Sequence, residues 1–433
     1  MNSRCFYHAV FLFCWPCLSL AGELSTITIG QEVHKKIQNT EIHRYQITLD
    51  ARPTIIVIKP SYFDVVISVH QTNSKNILRV NSPPFEISDE YLMLTPQTSG
   101  KYIIKVQGIS QSVSHGDYSL TVSNPSLSEN QVAAALLTTE AAQVRIDNPS
   151  VNTRDALKKA LELYQLSAIA WQKSGDAELQ ARSLRYIGWL ALELENLQTA
   201  QSSFIQALAL EHKSDPRNAW VRAYMGLVKL DQNEFEQAQV YFHQALALSR
   251  RIKDQRSSAS CLNYLGLINQ YKNLPVAAAD WYAQALVILE DIDYPDQEAQ
   301  TLSNLGGTQY QMGRFKEALE YYERALEIHQ HLKDQDEQAT VLGNIASLYR
   351  DQGDLGESLR YNLRTLKIYE NLHDIKNQHL VYHRLGILFQ RMGDYQRSEV
   401  YFLRAFKGRK EFGSLKNAAS SLRSIGAMYR RHV

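Results

Sequence analysis

Two hydrophobic rhythms divide the chain. From about Glu23 to Pro125 apolar residues alternate with polar ones, the period of a half-buried strand. Tyr45, Ile47 and Leu49 alternate with Gln46, Thr48 and Asp50, and the rhythm returns at Val65/Ile67/Val69, Tyr102/Ile104/Val106 and Tyr118/Leu120/Val122. Turn-forming residues at Lys59-Pro60-Ser61, Ser82-Pro83-Pro84, Ser99-Gly100 and His115-Gly116 predict the breaks. About seven to nine short strands in about 100 residues predict an all-β sandwich or jelly roll.

From Ser126 onward the rhythm is helical, and it repeats. A small residue recurs at Gly226, Gly266, Gly306, Ala346, Gly386 and Gly426, each 40 residues after the last, with Gly188 preceding. Twelve residues after each of the first six small positions stands another small side chain: Ala200, Ala238, Ala278, Ala318, Ser358 and Ser398. An aromatic column follows at Phe204, Phe242, Tyr282, Tyr322 and Phe402, broken by Asn362, and then a column at Ala207, Ala245, Ala285, Ala325, Thr365 and Ala405. Such registered columns predict pairs of antiparallel helices that bury their apolar faces only by stacking. Small residues belong where helices cross closely, with the aromatics beside them. Asn233, Asn273, Gly313, Gly353 and Gly393 supply the left-handed residue between paired helices.

The run Leu302, Asn304, Leu305, Gly306, Gly313, Phe315, Ala318, Leu319, Tyr321, Tyr322, Ala325, Leu326 resembles the tetratricopeptide repeat, in the long variety of kinesin light chains and bacterial sensor proteins. The resemblance implies a mainly α fold, a tetratricopeptide α-solenoid superhelix, behind the small all-β domain. It implies six full repeats from Ala181 to Ala419, a divergent one before them whose second helix lies near Asp155–Gln172, and a capping helix at Ser420–Val433. The β segment resembles the bacterial pre-peptidase C-terminal type of module. The likeness rests on Tyr45-Gln46-Ile47-Thr48-Leu49, Phe63-Asp64-Val65, Ser99-Gly100-Lys101-Tyr102 and Gly116-Asp117-Tyr118-Ser119-Leu120.

Composition refines this picture at the start of the chain. Arg4, the apolar stretch Ala9 to Leu20 and Ser19-Leu20-Ala21 read as an export signal cut after Ala21. The expected organisation is therefore 1–21 signal peptide, 22–125 β sandwich, 126–180 linker and divergent repeat, and 181–433 repeats. No later stretch is apolar enough to span a bilayer, so the expected location is periplasmic or secreted. Cys5, Cys14 and Cys17 lie in the signal and leave Cys261 alone in the mature chain, which excludes an internal disulfide or a cysteine-rich metal site. Lys plus Arg total 46 against 45 Asp plus Glu, so no overall charge points to nucleic acid. The balance is uneven: residues 380–433 hold eleven Lys or Arg and three Asp or Glu.

Candidate chemistry is sparse. No phosphate loop, nucleophile elbow or dinucleotide fingerprint occurs. His379 and His383 share one helix face at metal-ligand spacing but have no third ligand in sequence, and Cys261 has only His243 a repeat earlier. The expectation is no catalytic residue, no cofactor and no metal. The interesting column lies two positions before each repeat's small residue. In tetratricopeptide repeats it faces the groove, and here it reads Tyr186, Tyr224, Tyr264, Asn304, Asn344 and Arg384. The tyrosines offer stiff contact surface or else pack between helices. The amides donate to and accept from a peptide backbone, and Arg384, Arg391 and Arg423 would attract an acidic segment.

Signal, β module and long repeats together resemble the front part of bacterial proteins that end in a caspase-like CHAT protease. Their repeats share phrases like Lys333-Asp334-Gln335-Asp336-Glu337-Gln338-Ala339. Two expectations follow. One is an exported, non-catalytic scaffold that binds a protein or peptide in the groove. The other is the regulatory part of such a protease, whose catalytic domain is absent from this chain.

Overall fold

The structure is a computed structural model. It describes residues 24–38, 41–49, 54–61, 65–72, 77–81, 90–94, 100–108, 115–123, 131–135, 137–138, 141, 153–210, 218–411 and 421–426. The expected signal, the Ser82-Pro83-Pro84 turn and most of the linker lie outside the described residues. The chain divides into two compact units, Met1–Ile268 and Asn269–Val433.

Among the described residues the first unit opens with nine strands: β1 (Leu24–Thr26), β2 (Glu32–Gln38), β3 (Ile42–Leu49), β4 (Thr54–Ser61), β5 (Val65–Gln71), β6 (Ile77–Asn81), β7 (Glu90–Leu94), β8 (Gly100–Gly108) and β9 (His115–Ser123). They form a five-stranded sheet in the order β1-β3-β8-β5-β6 and a four-stranded sheet in the order β2-β9-β4-β7. Only the β1–β3 pairing is parallel. The alternating residues point inward as the period demands: Tyr45, Ile47, Ile67 and Ile104 from one sheet share a core with Ile56, Leu120 and Val122 from the other. The buried hydroxyls of Tyr45 and Tyr118 satisfy each other by a short hydrogen bond, and His43 Nδ1 stands 2.6 Å from the Tyr118 hydroxyl. Burial raises both phenols above the ordinary tyrosine range.

One expected turn is corrected. Lys59-Pro60-Ser61 continues β4, with Pro60 opposite Tyr118 of β9. Among the described residues the pairing of β4 to β7 ends at Ile58, and Pro60 pairs only toward β9. Gly100 and His115-Gly116 occupy the first residues of β8 and β9.

Thirteen long helices follow among the described residues. In the first unit they are α1 (Thr153–Ser174), α2 (Ala177–Glu193), α3 (Leu197–Leu210), α4 (Asn218–Asp231), α5 (Phe235–Arg251) and most of α6 (Gln255–Tyr271). The second unit holds α7 (Pro275–Asp291), α8 (Pro295–Gln311), α9 (Phe315–His331), α10 (Gln335–Gln352), α11 (Leu355–Asn371), α12 (Ile375–Arg391) and α13 (Tyr395–Glu411). From α2 onward the even-numbered helices are the first members of each pair, and α1 is the second helix of the divergent leading repeat.

The small columns do what close crossing requires. A methyl on Gly188 would stand 2.5 Å from the Phe204 ring, on Gly226 2.8 Å from Phe242, on Gly306 2.7 Å from Tyr322, and on Gly386 2.6 Å from Phe402. The break in the aromatic column has a physical reason. Where glycine gives way to Ala346, the methyl occupies the space the ring fills elsewhere, and the facing residue shrinks to Asn362. Its amide bonds the Ser358 carbonyl at 2.9 Å, and Ser358 Oγ bonds the Ala346 carbonyl at 2.8 Å.

Several helix starts are capped or pre-set, whereas α5 and α9 begin after Glu234 and Arg314 with no side-chain cap. Asp176, Asp334, Asp354 and Asp374 each accept a hydrogen bond from the N–H three residues on. Pro275 and Pro295 instead open α7 and α8 with a fixed φ. Asn233, Asn273, Gly313, Gly353 and Gly393 all have positive φ, as expected. So do Lys253, Asp293, Lys333 and His373 between successive pairs, positions with no glycine to mark them. The exchange of bonds at these positions, such as Asp334 N–H to the His329 carbonyl at 3.0 Å, offsets the left-handed cost.

Candidate peptide-binding face

The residues two positions before each small column sit on first helices, and the structure treats them differently along the chain. In the first unit Tyr186 is 2 % exposed and stacks on Tyr164 of α1, with ring centroids 4.7 Å apart. Tyr224 is 8 % exposed, between Phe204 and Trp220. Both tyrosines pack helices together and offer little surface. Tyr264 is half-buried and stacks on Phe242 at 4.9 Å. Cys261, one turn away, is buried, and desolvation pushes its thiol up to about 12, which leaves it un-ionised at neutral pH.

In the second unit the column changes character. Asn304 of α8 and Asn344 of α10 are half-buried, and neither side-chain amide makes a hydrogen bond among the described residues. One turn on, Gly307 and Ser347 keep the neighbouring surface small. Arg384 of α12 holds the same register. Its guanidinium lies over Gly343 of α10, where any side chain would collide with it. No carboxylate among the described residues stands within ion-pair distance of Arg384, and burial lowers its pKa. Arg423 is exposed in the short helical segment 421–426.

Arg391 behaves otherwise. It belongs to a tie that runs across three successive first helices. Asp351 of α10 receives a short hydrogen bond from the Tyr310 hydroxyl of α8, is paired with Arg350 at 2.9 Å, and meets Arg391 of α12 at 3.3 Å. Arg391 also donates to the Arg350 carbonyl at 3.1 Å. The hydrogen bonds from Arg350 and Tyr310 hold the Asp351 carboxyl down to about 2. This cation is engaged within the protein, so the acidic attraction expected of Arg391 is already met by Asp351.

His383 turns to Ser421 and the Phe402 ring, while His379 faces Tyr382 and Gly408. Sequence reasoning missed the Tyr310–Asp351 link, since its partners are 41 residues apart.

Stacked helix pairs with these columns define a tetratricopeptide α-solenoid. Residues 297–371 match the tetratricopeptide-repeat family. Among solved structures, the chain is similar to the apo form of RapI at 13 % identity and a TM-score of 0.53, covering 65 % of this chain and 99 % of that one. It is similar to aspartyl phosphate phosphatase F from Bacillus subtilis at 13 % identity and a TM-score of 0.50, covering 65 % and 71 %. These likenesses concern the fold. No curated protein matches the chain in sequence. Among the described residues, no helix is long and apolar enough to cross a membrane.

Proposed function

We propose that this protein is an exported, non-catalytic interaction scaffold that holds an extended peptide or protein segment across the first helices α8, α10 and α12. One observation carries the reading: three successive first helices present, at one register, two unengaged carboxamides and a guanidinium with no carboxylate partner. A carboxamide donates and accepts at once, which suits the N–H and C=O of a peptide backbone. Small residues beside Asn304 and Asn344 let that backbone approach. Arg384 then offers a charge-assisted bond to an acidic side chain or a terminal carboxylate.

The test is a peptide-display selection on the purified protein, followed by affinity measurement of the selected peptides. Asn304→Ala with Asn344→Ala removes two hydrogen bonds and is expected to weaken binding by about 1–3 kcal/mol while leaving the helical signal unchanged. Arg384→Gln is expected to remove the preference for acidic peptides. Selected peptides that bind both variants as tightly as the parent would place the binding face elsewhere.

A further inference from the structure

At the junction of α8, α9 and α10 three side chains meet that the peptide face does not use. Asp296 stands in the first turn of α8, His329 in the last turn of α9, and Asp334 caps α10. One ligand atom from each lies within 4.8 Å of the other two. His329 is 1 % exposed, and neither ring nitrogen has a hydrogen-bond partner. A buried imidazole with both nitrogens unpaired is rare in folded proteins and calls for an explanation.

The neighbouring repeats solve the same position differently. One repeat later it holds Tyr369, whose hydroxyl bonds Thr340. One repeat earlier it holds Leu289, fully buried and without polar atoms to satisfy. The residue equivalent to Thr340 beside His329 is Gln300, and its amide bonds neither imidazole nitrogen. Two carboxylates also recur one repeat on, as Asp336 and Asp374, but there no imidazole joins them. The imidazole turns this pair of carboxylates into a ligand set.

We propose that Asp296, His329 and Asp334 bind a divalent transition metal ion of the Zn2+ class. A centre shared by three atoms this close is at most about 2.8 Å from each, so the about 2.0–2.2 Å bonds of Zn2+ need side-chain movements under about 1 Å. The frame around the set is fixed. Asp334 Oδ1 accepts the Glu337 N–H at 3.2 Å, which orients the carboxylate and leaves its other oxygen for an ion. The His329 carbonyl is held by the Gln338 side chain at 2.9 Å and the Asp334 N–H at 3.0 Å. A nitrogen donor with two carboxylates favours Zn2+ or Co2+ over Mg2+ or Ca2+, which prefer all-oxygen shells. Binding would staple the end of one repeat to the starts of its own first helix and of the next.

The experiment is calorimetric titration of ZnCl2 into the untagged, chelator-stripped full chain, with thermal melts beside it. The expected result is one site per chain, a raised melting temperature, and no displacement by excess Mg2+ or Ca2+. Asp296→Asn, a change at an exposed residue, should weaken Zn2+ binding at least about tenfold, since even outer partners of metal sites carry 10–100-fold. His329→Leu, which installs the side chain of the preceding repeat, should abolish the site while the metal-free melt stays at or above that of the parent. Co2+ should show d–d bands without thiolate charge transfer, which separates this site from the cysteines. Absence of stoichiometric Zn2+ uptake, survival of the site in both variants, or displacement by Mg2+ would overturn the proposal.

Discussion

Gly306 offers a test in which the sign of one substitution should reverse. Placing alanine in a helix interior ordinarily stabilises by about 1 kcal/mol relative to glycine. Here the added methyl would stand 2.7 Å from two carbons of the Tyr322 ring and 3.1 Å from the Ala318 carbonyl oxygen. That ring is buried in the core of the second unit, beside Leu302, Leu305 and Ile345, and has nowhere to go. Overpacking of this kind costs about 1–3 kcal/mol, so Gly306→Ala should lose the usual gain and be destabilising by up to about 2 kcal/mol net. Tyr322→Asn alone empties the space and should cost about 3–5 kcal/mol. Combining the two recreates the Ala346/Asn362 arrangement of the next repeat. In the Tyr322→Asn background the methyl meets no ring, and Gly306→Ala should gain up to about 1 kcal/mol. The cycle therefore predicts a coupling of about 1–3 kcal/mol. Urea unfolding followed by circular dichroism measures it, and amide exchange in α8 and α9 localises it, since stacked repeats need not unfold in one step. An effect of Gly306→Ala equal in sign and size in both backgrounds would refute the packing argument.

Further predictions concern the tie and the leader. The Asp351 carboxyl is held at about 2 in the folded chain, below the unfolded value of about 3.9, so its contribution is present above about pH 4 and is lost as pH falls toward 2. Asp351→Asn should lower stability by about 1 kcal/mol at pH 7, a figure discounted for the carboxylate's exposure. The gap between the melting curves of parent and variant should close near pH 2; a constant gap would show that the charge is not its source. For export, N-terminal sequencing of the protein from its native host should begin at Gly22, and a mature chain retaining Met1 would contradict the signal reading.

Much of the fold was legible because both rhythms are imposed by burial. Tyr45, Ile47, Tyr102, Ile104, Leu120 and Val122 had to alternate to fill one core, and the 40-residue columns had to align for helix pairs to stack. What escaped the reading is what a linear pattern does not carry. Pro60 reads as a break, yet β4 runs through it, paired to β9. Lys253, Asp293, Lys333 and His373 adopt left-handed backbone without the glycine that announces it. The candidate face was only half legible. The column position was right for locating first-helix side chains, but Tyr186 and Tyr224 are drawn into aromatic stacks that bury them. Arg391 looks like a surface cation in sequence, and only the structure brings Asp351 beside it.

The exception at Ala346 and Asn362 has a bearing on how the chain finds its fold. Repeats this alike invite mispairing, in which a first helix docks against the second helix of a neighbouring unit. Were α10 to take up α9 as its partner, Ala346 would be driven into the Tyr322 ring. Were α8 to take up α11, Gly306 would face Asn362 across a void, with a buried amide oxygen that has no hydrogen-bond partner at its edge. Each wrong match that involves this pair costs either a collision or an empty, polar hole, while the right matches cost no such penalty. One odd pair placed among uniform ones thus acts as a key that fixes the alignment at its own position.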